Sequence, residues 1–261
     1  MDYFANEYHN GRTPNPCIAC NRFVKFDAMR RRAQELGFDF IATGHYANIR
    51  QREDGRWLLE RAASAKDQSY VLYSLTQDQL AHTLFPVAGY PKEQIRALAE
   101  QHQLPVAHKP DSQEICFVPD NNYAAFLEQY TGKTCPPGDF VREDGTVLGR
   151  HKGVVHYTIG QRKGLGIAFG EPMYVTRIDP TSNRITLGPD GSQYRSSLTA
   201  RDLNWISIPS LESPMRVTAQ VRYRAAPAPA LLEPCADGSV CVTFDTPQRS
   251  VTPGQAVVFY D

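Results

Sequence analysis

Three cysteines lie in short segments whose residue types could support thiol chemistry. Cys17 and Cys20 form a C-x-x-C pair, and Cys116 follows much later in the chain. A zinc site would need further ligands, usually a second such pair, and none follows at the usual spacing. Cys20 directly precedes the predicted N-terminus of a helix, where the helix dipole favours a thiolate. On spacing alone, buried or incidental thiols are the more common case, so reactive thiols remain one of two interpretations.

The residues around the first two cysteines predict alternating helices and strands over residues 1–118. The predicted elements are a helix capped by Asn21 and ended by Gly37, a strand over 38–43, a helix over 91–102 and a strand over 104–107. This alternation predicts a parallel sheet, in which ligands bind beyond the carboxyl ends of the strands. Gly44 and His45 directly follow the first predicted strand.

Beyond residue 118 the pattern changes to short β-rich runs separated by Gly and Pro. The predicted elements are a helix over 123–130 and strands over 173–178, 184–187, 216–223, 240–244 and 256–260. Such runs are typical of a small barrel or sandwich. The sequence therefore predicts an α/β plus β protein with a parallel-sheet domain (1–118), a small central domain (119–188) and a C-terminal β-barrel (189–261).

The overall composition excludes several classes of protein. The 261 residues carry 28 basic and 28 acidic side chains, so the formal net charge is zero. That balance excludes a uniformly basic nucleic-acid coat and an acidic disordered tail. No apolar run reaches the roughly 18 residues of a membrane span, and the N-terminus lacks a signal-peptide pattern. We therefore expect a cytoplasmic protein with reduced cysteines and no membrane partner.

One stretch concentrates positive charge within this neutral chain. Residues 146–170 contain no Asp or Glu, but they carry four cations among glycines: Arg150, Lys152, Arg162 and Lys163. Cations and backbone N–H groups in such a segment can approach a phosphate backbone closely. The alternative is a solvated loop with a chance cluster of charge.

Several long and uncommon motifs follow one another along nearly the whole chain, and they cover residues 11–21 with 25–26, 42–47, 66–70, 111–117, 149–153, 157–166 and 253–257. In this order they resemble the motifs of the tRNA-specific 2-thiouridylase family. The resemblance implies a partial adenine-nucleotide α-hydrolase-like sheet in the first domain. It also implies ATP-dependent sulfur transfer to C2 of the wobble uridine of tRNA.

The resemblance assigns roles to two of the cysteines. Cys116 would carry a persulfide supplied by a sulfur-relay donor protein, and Cys20 would be the second catalytic cysteine. In such chemistry a thiolate attacks a polarised S–S bond and leaves a disulfide for later reduction. Disulfide formation would require the two sulfur atoms to meet.

The resemblance also implies contact residues. Asn15-Pro16-Cys17 would contact the target base, although the third position is often Asp in the family. Gly44 would contact the nucleotide. Contacts to tRNA would come from His45, Lys66, Asp67, Gln68, Arg222, Tyr223 and Gln255. Taken singly, each of these residues also suits an ordinary turn, cap or cross-strand pair.

The sequence departs from the family at one loop. The family's Ser-Gly-Gly-x-Asp-Ser loop, which holds the phosphates of ATP, does not occur in these residues. We therefore expect an N-terminally truncated enzyme that binds ATP weakly or not at all and is inactive as it stands. The alternative is a non-catalytic tRNA-binding module. We expect a monomer in either case.

A second departure is the extra thiol of Cys17. Together with Cys20 and Cys116 it could hold an iron–sulfur cluster with one iron open to exogenous sulfide. This alternative leads to the same product by another route, and the persulfide route without a metal is the interpretation that the family favours.

Overall fold

A computed structural model describes residues 1–63, 66–109, 115–118, 120 and 122–261. Their contacts divide the chain into two compact units. Unit 1 consists of Met1–Asn15, Glu114–Arg201 and Ser213–Asp261, and unit 2 consists of Pro16–Gln113 and Asp202–Glu212. No helix in the described part of the chain combines the length and apolar character that membrane crossing requires.

Helices and strands alternate in the first part of the chain, and strands dominate the rest. The α-helices are α1 (Asp2–His9), α2 (Pro16–Ala19), α3 (Arg30–Glu35), α4 (Gln77–Ala81), α5 (Lys92–Gln101) and α6 (Tyr123–Thr131). A π-helical stretch, Cys20–Met29, joins α2 to α3. Two 3₁₀ turns lie at Ser69–Leu72 and Val154–His156. The strands are β1 (Ile41–Ala42), β2 (Ala47–Gln51), β3 (Trp57–Arg61), β4 (Thr83–Leu84), β5 (Gly138–Val141), β6 (Val147–His151), β7 (Tyr174–Asp179), β8 (Arg184–Gly188), β9 (Tyr194–Ala200), β10 (Met215–Gln220), β11 (Ala228–Pro234), β12 (Val240–Arg249) and β13 (Val258–Tyr260).

Unit 2 begins with one long helical stretch, α2 through α3. Pro16 starts it, because the fixed φ of proline and its missing N–H suit the first helical position. Gly37 ends it with a φ of +81°. The Gly37 N–H donates to the Gln34 carbonyl at 2.9 Å and the Phe38 N–H to the Ala33 carbonyl at 2.9 Å. This paired return of hydrogen bonds is the usual glycine stop of a helix.

A short parallel pair of strands follows in unit 2. β1 pairs with β4, with Ile41 opposite Thr83 and Ala42 opposite Leu84. The Thr43 N–H extends the ladder by donating to the Leu84 carbonyl at 3.1 Å. β2 and β3 form an antiparallel hairpin beyond this point. The parallel sheet expected in this part of the chain is therefore present.

Unit 1 contains two sheets and a helical cluster. Helix α1 packs on α6, where Phe4, Tyr8 and Leu127 share a buried core. One sheet has the order β6-β5-β8-β7, and the other has the order β13-β10-β11-β12-β9. In the described residues of the second sheet, the outer strands β13 and β9 are not hydrogen-bonded to each other, so these ladders do not close a barrel.

Several sequence predictions are confirmed with ends shifted by about one residue, except that β12 runs five residues further, to Arg249. These are the helices now seen as α5 and α6 and the strands now seen as β7, β8 and β12. The strand predicted over 104–107 is wrong: after α5 the chain turns, and the Leu104 N–H donates to the Ala99 carbonyl at 2.9 Å. The strand predicted over 38–43 is reduced to β1, and Phe38 and Phe40 are exposed.

The strand predicted over 216–223 ends at Gln220, because the backbone turns there. The Ala225 N–H donates to the Arg222 carbonyl at 3.0 Å, and the Gln220 side chain donates to the Tyr223 carbonyl at 2.9 Å. Arg222 and Tyr223 therefore lie on a turn and not on a strand. The last predicted strand, over 256–260, is confirmed only for β13.

Candidate functional site

Cys17 and Cys20 lie on the first helical stretch of unit 2. Cys17 is the second residue of α2 and is exposed, and Cys20 begins the π-helical stretch and is half-buried. The prediction that Cys20 precedes the helix is wrong, because the helix begins at Pro16. The effect of a helix dipole fades beyond the first turn, so that argument applies to Cys17 and not to Cys20.

Asn21, the predicted cap of this helix, lies inside it. Its side chain is only 2% exposed, and its Nδ2 donates to the Val71 carbonyl at 2.9 Å. It therefore ties the π-helical stretch to the 3₁₀ turn at Ser69–Leu72. The correct signal lies earlier in the sequence, because Asn15 followed by Pro16 is a typical start of a helix.

Cys116 lies in unit 1 at the tip of a turn. The Val118 N–H donates to the Ile115 carbonyl at 2.9 Å, which closes the turn around Cys116 and Phe117. Ile115 and Phe117 pack against the core that α1 shares with α6, while the Cys116 side chain is exposed. Packed neighbours on both sides thus hold an exposed thiol. The preceding motif residues 111–114 lie outside the described residues.

Gly44 and His45 follow the carboxyl end of β1, as the sequence predicts. Gly44 is exposed, and a Cβ added to it would meet no described atom within 4 Å. Its φ is not in the left-handed region, so neither packing nor backbone conformation of the chain requires glycine here. The space beside it is therefore open to a ligand.

His45 is directed into the protein. Its ring is 8% exposed and lies between Phe26 and Phe85, each with a ring centroid 5.8 Å away. Nδ1 lies 2.7 Å from the Thr43 hydroxyl, and Nε2 lies 3.5 Å from the Lys25 ammonium. Burial, and then the charge of Lys25, lowers the pKa of His45 to about 4. The imidazole is therefore neutral at neutral pH.

The segment 66–68 is built around inward hydrogen bonds. Asp67 accepts from the Ala62 N–H at 2.9 Å and from the Ser69 hydroxyl at 2.7 Å. The Gln68 side chain accepts from the Tyr46 N–H at 3.0 Å, which joins this segment to the residues that follow β1. Gly44, His45 and Gln68 are thus brought together within unit 2.

Lys66 adds to a concentration of positive charge near α5. Burial lowers the pKa of Lys92, the nearby charges of Arg96 and Lys66 lower it further, and Glu93 partly opposes them by raising it. Like charges that affect one another in this way raise the local positive potential. Such a surface attracts phosphate groups.

Gln255 of unit 1 holds the segment that leads to the C-x-x-C motif. Its Nε2 donates to the Thr13 carbonyl at 2.7 Å, and the Thr13 N–H donates to the Pro253 carbonyl at 2.9 Å. A Cβ on Gly254 would lie 2.9 Å from the Thr13 nitrogen, so this contact needs glycine. The structure thus gives Gln255 a positioning role just before Asn15.

The other predicted contact residues of the C-terminal domain lie on the turn after β10. Arg222 donates to the Arg249 carbonyl at 3.1 Å, and Tyr223 is 42% exposed. The turn therefore presents an aromatic ring beside a cation, a combination suited to stacking and phosphate contact.

The four cations of the acid-free stretch separate into two groups. Arg150 pairs with Asp139 at 3.0 Å, because the two residues lie opposite each other on β6 and β5. Lys152, Arg162 and Lys163 are exposed, and no acidic side chain of the described chain pairs with them. Arg162 also lines an open cavity of about 410 Å³ with residues 164–173. All four cations are thus exposed, and three of them have no acidic partner among the described residues.

Within the described residues, no group of three or more His, Cys, Asp or Glu side chains could hold a metal ion. The six cysteines all lie within the described residues, and none of them forms a disulfide there. Cys17 and Cys20 belong to unit 2 and Cys116 to unit 1. The iron–sulfur alternative stays a prediction.

Comparison with known proteins agrees with this arrangement of elements. Residues 1–120 match the tRNA methyl transferase HUP domain, and residues 124–189 match the tRNA methyl transferase PRC-barrel domain. Residues 195–261 match the aminomethyltransferase beta-barrel domain. The chain thus combines a HUP domain with two β-domains.

Named relatives define the family more closely. The tRNA-specific 2-thiouridylase MnmA of Acetivibrio thermocellus is 57% identical over the whole of this chain, which covers 73% of that protein. Proteins of the same name from Lachnoclostridium phytofermentans and Clostridioides difficile are 52% and 49% identical over the whole chain, again covering 73% of each. The chain belongs to the tRNA-specific 2-thiouridylase family.

Proposed function

We propose that this chain acts in the thiolation of tRNA, replacing O2 of the wobble uridine by sulfur with consumption of ATP. The observation that carries the proposal is the 57% identity to a relative named tRNA-specific 2-thiouridylase, extending over the whole chain. Two of the matched domain families mention methyl transfer in their names, and the third mentions aminomethyl transfer. Cysteines at the motif positions and thiouridylase relatives favour sulfur transfer over methyl transfer.

The exposed cations support RNA as the partner. Lys152, Arg162 and Lys163 have no acidic partner in the described chain, and Lys66 adds to the positive potential near α5. Neutralising phosphates with such side chains releases counterions and makes binding depend on salt. The net charge of zero therefore does not oppose tRNA binding.

The proposed chemistry assigns one step to each cysteine. Uridine O2 attacks the α-phosphorus of ATP and releases pyrophosphate, which turns O2 into a good leaving group. The terminal sulfur of a persulfide on Cys116 attacks C2, and AMP departs. The Cys20 thiolate then attacks the Cys116 sulfur, which leaves sulfur on C2 and forms a Cys20–Cys116 disulfide. External thiols reduce the disulfide, and a sulfur donor protein reloads Cys116.

The test is mass spectrometry of tRNA from cells that lack their own 2-thiouridine. These cells carry either this chain alone or this chain preceded by the N-terminal segment of the Acetivibrio thermocellus relative. We expect 2-thiouridine in the second case, abolished by Cys116→Ser and by Cys20→Ser while tRNA binding survives. Cys241→Ser, at a half-buried thiol of β12, is the matched control and retains activity. Thiolation that persists in Cys116→Ser contradicts the assignment.

Two alternatives have separate outcomes in the same experiment. tRNA binding without thiolation in both kinds of cell would favour the non-catalytic module, which the exposed cations also suit. An iron–sulfur route predicts visible absorbance after anaerobic purification, lost in Cys17→Ala. Active and colourless protein excludes that route.

A further inference from the structure

Lys25 is a cation at the candidate site that has no counter-ion among the described residues. It lies on the π-helical stretch Cys20–Met29 and is half-buried. Its ammonium lies 3.5 Å from Nε2 of His45, and no carboxylate in the described part of the chain pairs with it. A cation removed partly from water without an opposite charge is costly unless a ligand supplies one.

The hydrogen-bonding capacity of the two side chains fixes how His45 and Lys25 interact. A neutral imidazole has one donor and one acceptor, and an ammonium group can only donate. Nε2 of His45 must therefore accept from Lys25, which leaves the proton on Nδ1, 2.7 Å from the Thr43 hydroxyl that accepts it. Both ring nitrogens are thus occupied inside the protein. The ammonium of the half-buried Lys25 is the last group in this chain of contacts.

The position of the ammonium indicates its ligand. Thr43 and His45 stand at the carboxyl end of β1, next to the open space beside Gly44. Ligands of parallel α/β sheets bind beyond that end of the strands. A lysine held there by a neutral acceptor can donate its remaining N–H groups to an anion.

We propose that Lys25 is a phosphate-binding residue of this site and that His45 positions it. This inference rests on the proposed function, whose substrates offer phosphate in two forms, the tRNA backbone and the nucleotide. His45 then acts through Lys25, by holding the ammonium in place. The role that the family resemblance gives to His45, a tRNA contact, is in this view carried out by its neighbour.

The test compares Lys25→Met, Lys25→Arg and the control Lys133→Met, which removes an exposed charge just after α6. The full chain is titrated with an unmodified tRNA transcript and, separately, with ATP. Loss of one charge-assisted contact predicts an affinity about 10-fold to 100-fold lower for Lys25→Met. If the phosphate belongs to tRNA, the slope of log K against log salt also falls by roughly 0.7–0.9. If it belongs to the nucleotide, only ATP binding weakens. Lys25→Arg stays close to the unmodified protein.

A second measurement does not depend on RNA or ATP. Acetylation of Lys25 by an amine-reactive reagent is followed by mass spectrometry with and without inorganic phosphate, ATP or tRNA. Protection of Lys25 by phosphate supports the inference even if the protein thiolates no tRNA. The inference is overturned if Lys25→Met and Lys133→Met bind every probe with equal affinity and no probe protects Lys25 from acetylation. If tRNA binding is intact in that case, the proposed function still stands. Protein that binds no probe and shows no protection overturns both.

The positioning role of His45 has its own readout. Gln offers an acceptor at a similar reach, so phosphate should still protect Lys25 from acetylation in His45→Gln. In His45→Leu this protection should be lost. The double variant His45→Leu with Lys25→Met should bind tRNA or ATP no more weakly than Lys25→Met alone, because the two residues act through one contact. Additive losses of affinity would contradict the positioning role.

Discussion

The buried ring of His45 makes the stability of unit 2 depend on pH. Its pKa is lowered to about 4 in the folded protein, first by burial and then by Lys25. In the unfolded chain an ordinary histidine binds a proton near pH 6.5. Between these values the unfolded state holds more protons, so stability falls as the pH decreases from about 6.5 to about 4.

We expect this group alone to contribute a loss of up to about 3 kcal/mol across that interval. The measurement is the urea midpoint of the unmodified protein and of His45→Gln at a series of pH values. His151 and His156 also have pKa values lowered mainly by burial, and they remain in both proteins. The difference between the two curves therefore isolates His45. Curves that stay parallel from pH 7 to pH 4 would show that the ring is not held neutral.

At the residue scale, the sequence predicts where the motif residues lie in the fold better than it predicts which atoms their side chains contact. The motif around Gly44 and His45 does lie at the end of β1, where strand alternation places it. The inward direction of the His45 ring depends on Phe85, a residue from a distant part of the chain. Lys25 belongs to one of the motifs, but no local sequence pattern indicates that it lacks a counter-ion among the described residues.

In the helical stretch that carries Cys17 and Cys20, local sequence signals alone do not determine where the helix begins. Both Asn15-Pro16 and Asn21 are plausible helix starts, and tertiary packing decides between them. The Val71 carbonyl accepts a hydrogen bond from Asn21, so burial makes Asn21 part of the helix interior.

The hairpin β2–β3, in contrast, could be predicted from the sequence. Asp54-Gly55 between two strand-like runs is typical of a hairpin turn, and Gly55 has a φ of +86°.

Asn21 gives a prediction at the scale of this element. Asn21→Ala removes the Nδ2 donor and leaves the Val71 carbonyl without that bond in a buried place. We expect a loss of about 1–3 kcal/mol in the free energy of unfolding. Asn48→Ala is the matched control, since Asn48 makes a similar bond to the Arg61 carbonyl at 3.1 Å in an exposed place. That control should change stability by no more than about 0.5 kcal/mol. Equal effects of the two substitutions, measured by denaturant unfolding, would refute the argument.

At the scale of the molecule, the segment Asp202–Glu212 belongs to unit 2 although it lies between strands β9 and β10 of unit 1. Arg56 holds it by donating to the carbonyls of Trp205, Ile206 and Ile208. Asn204 donates in turn to the Tyr73 and Leu75 carbonyls, at 2.7 and 2.9 Å. The Arg56 side chain thus donates to three backbone carbonyls of the segment Asp202–Glu212.

Arg56→Met should release this segment, because methionine offers no donor to any of the three carbonyls. Hydrogen bonds to a charged group contribute about 1.5–3 kcal/mol. Amide hydrogen exchange over residues 202–212 should therefore accelerate by about tenfold or more. Arg52→Met is the control, since the Arg52 bond to the segment, at the Ser207 carbonyl, is long at 3.4 Å. Exchange that is equally slow in both variants would mean that other contacts hold the segment.

Hydrogen bonds between distant parts of the chain cannot be predicted from local sequence patterns. Gln255 and Thr13 are 242 positions apart, and nothing local in either segment indicates their hydrogen bond. The sequence can predict a parallel sheet, two helices and several β-strands, because those follow from periodicity. It cannot predict that the segment before the C-x-x-C motif is held by the C-terminal end of the chain.

The packing of α1 has a practical consequence for anyone who dissects this protein. Phe4, Ala5 and Tyr8 of that helix share a core with Leu127 and Val155, more than a hundred positions away. A fragment beginning at residue 119 would carry the central and C-terminal regions but would lose the helix that covers this core. Expressed alone, such a fragment would expose Leu127 to water, and an RNA-binding assay on it would report on a damaged surface. Studies of residues 119–261 should therefore retain residues 1–15, supplied either on the same polypeptide or as a peptide in trans.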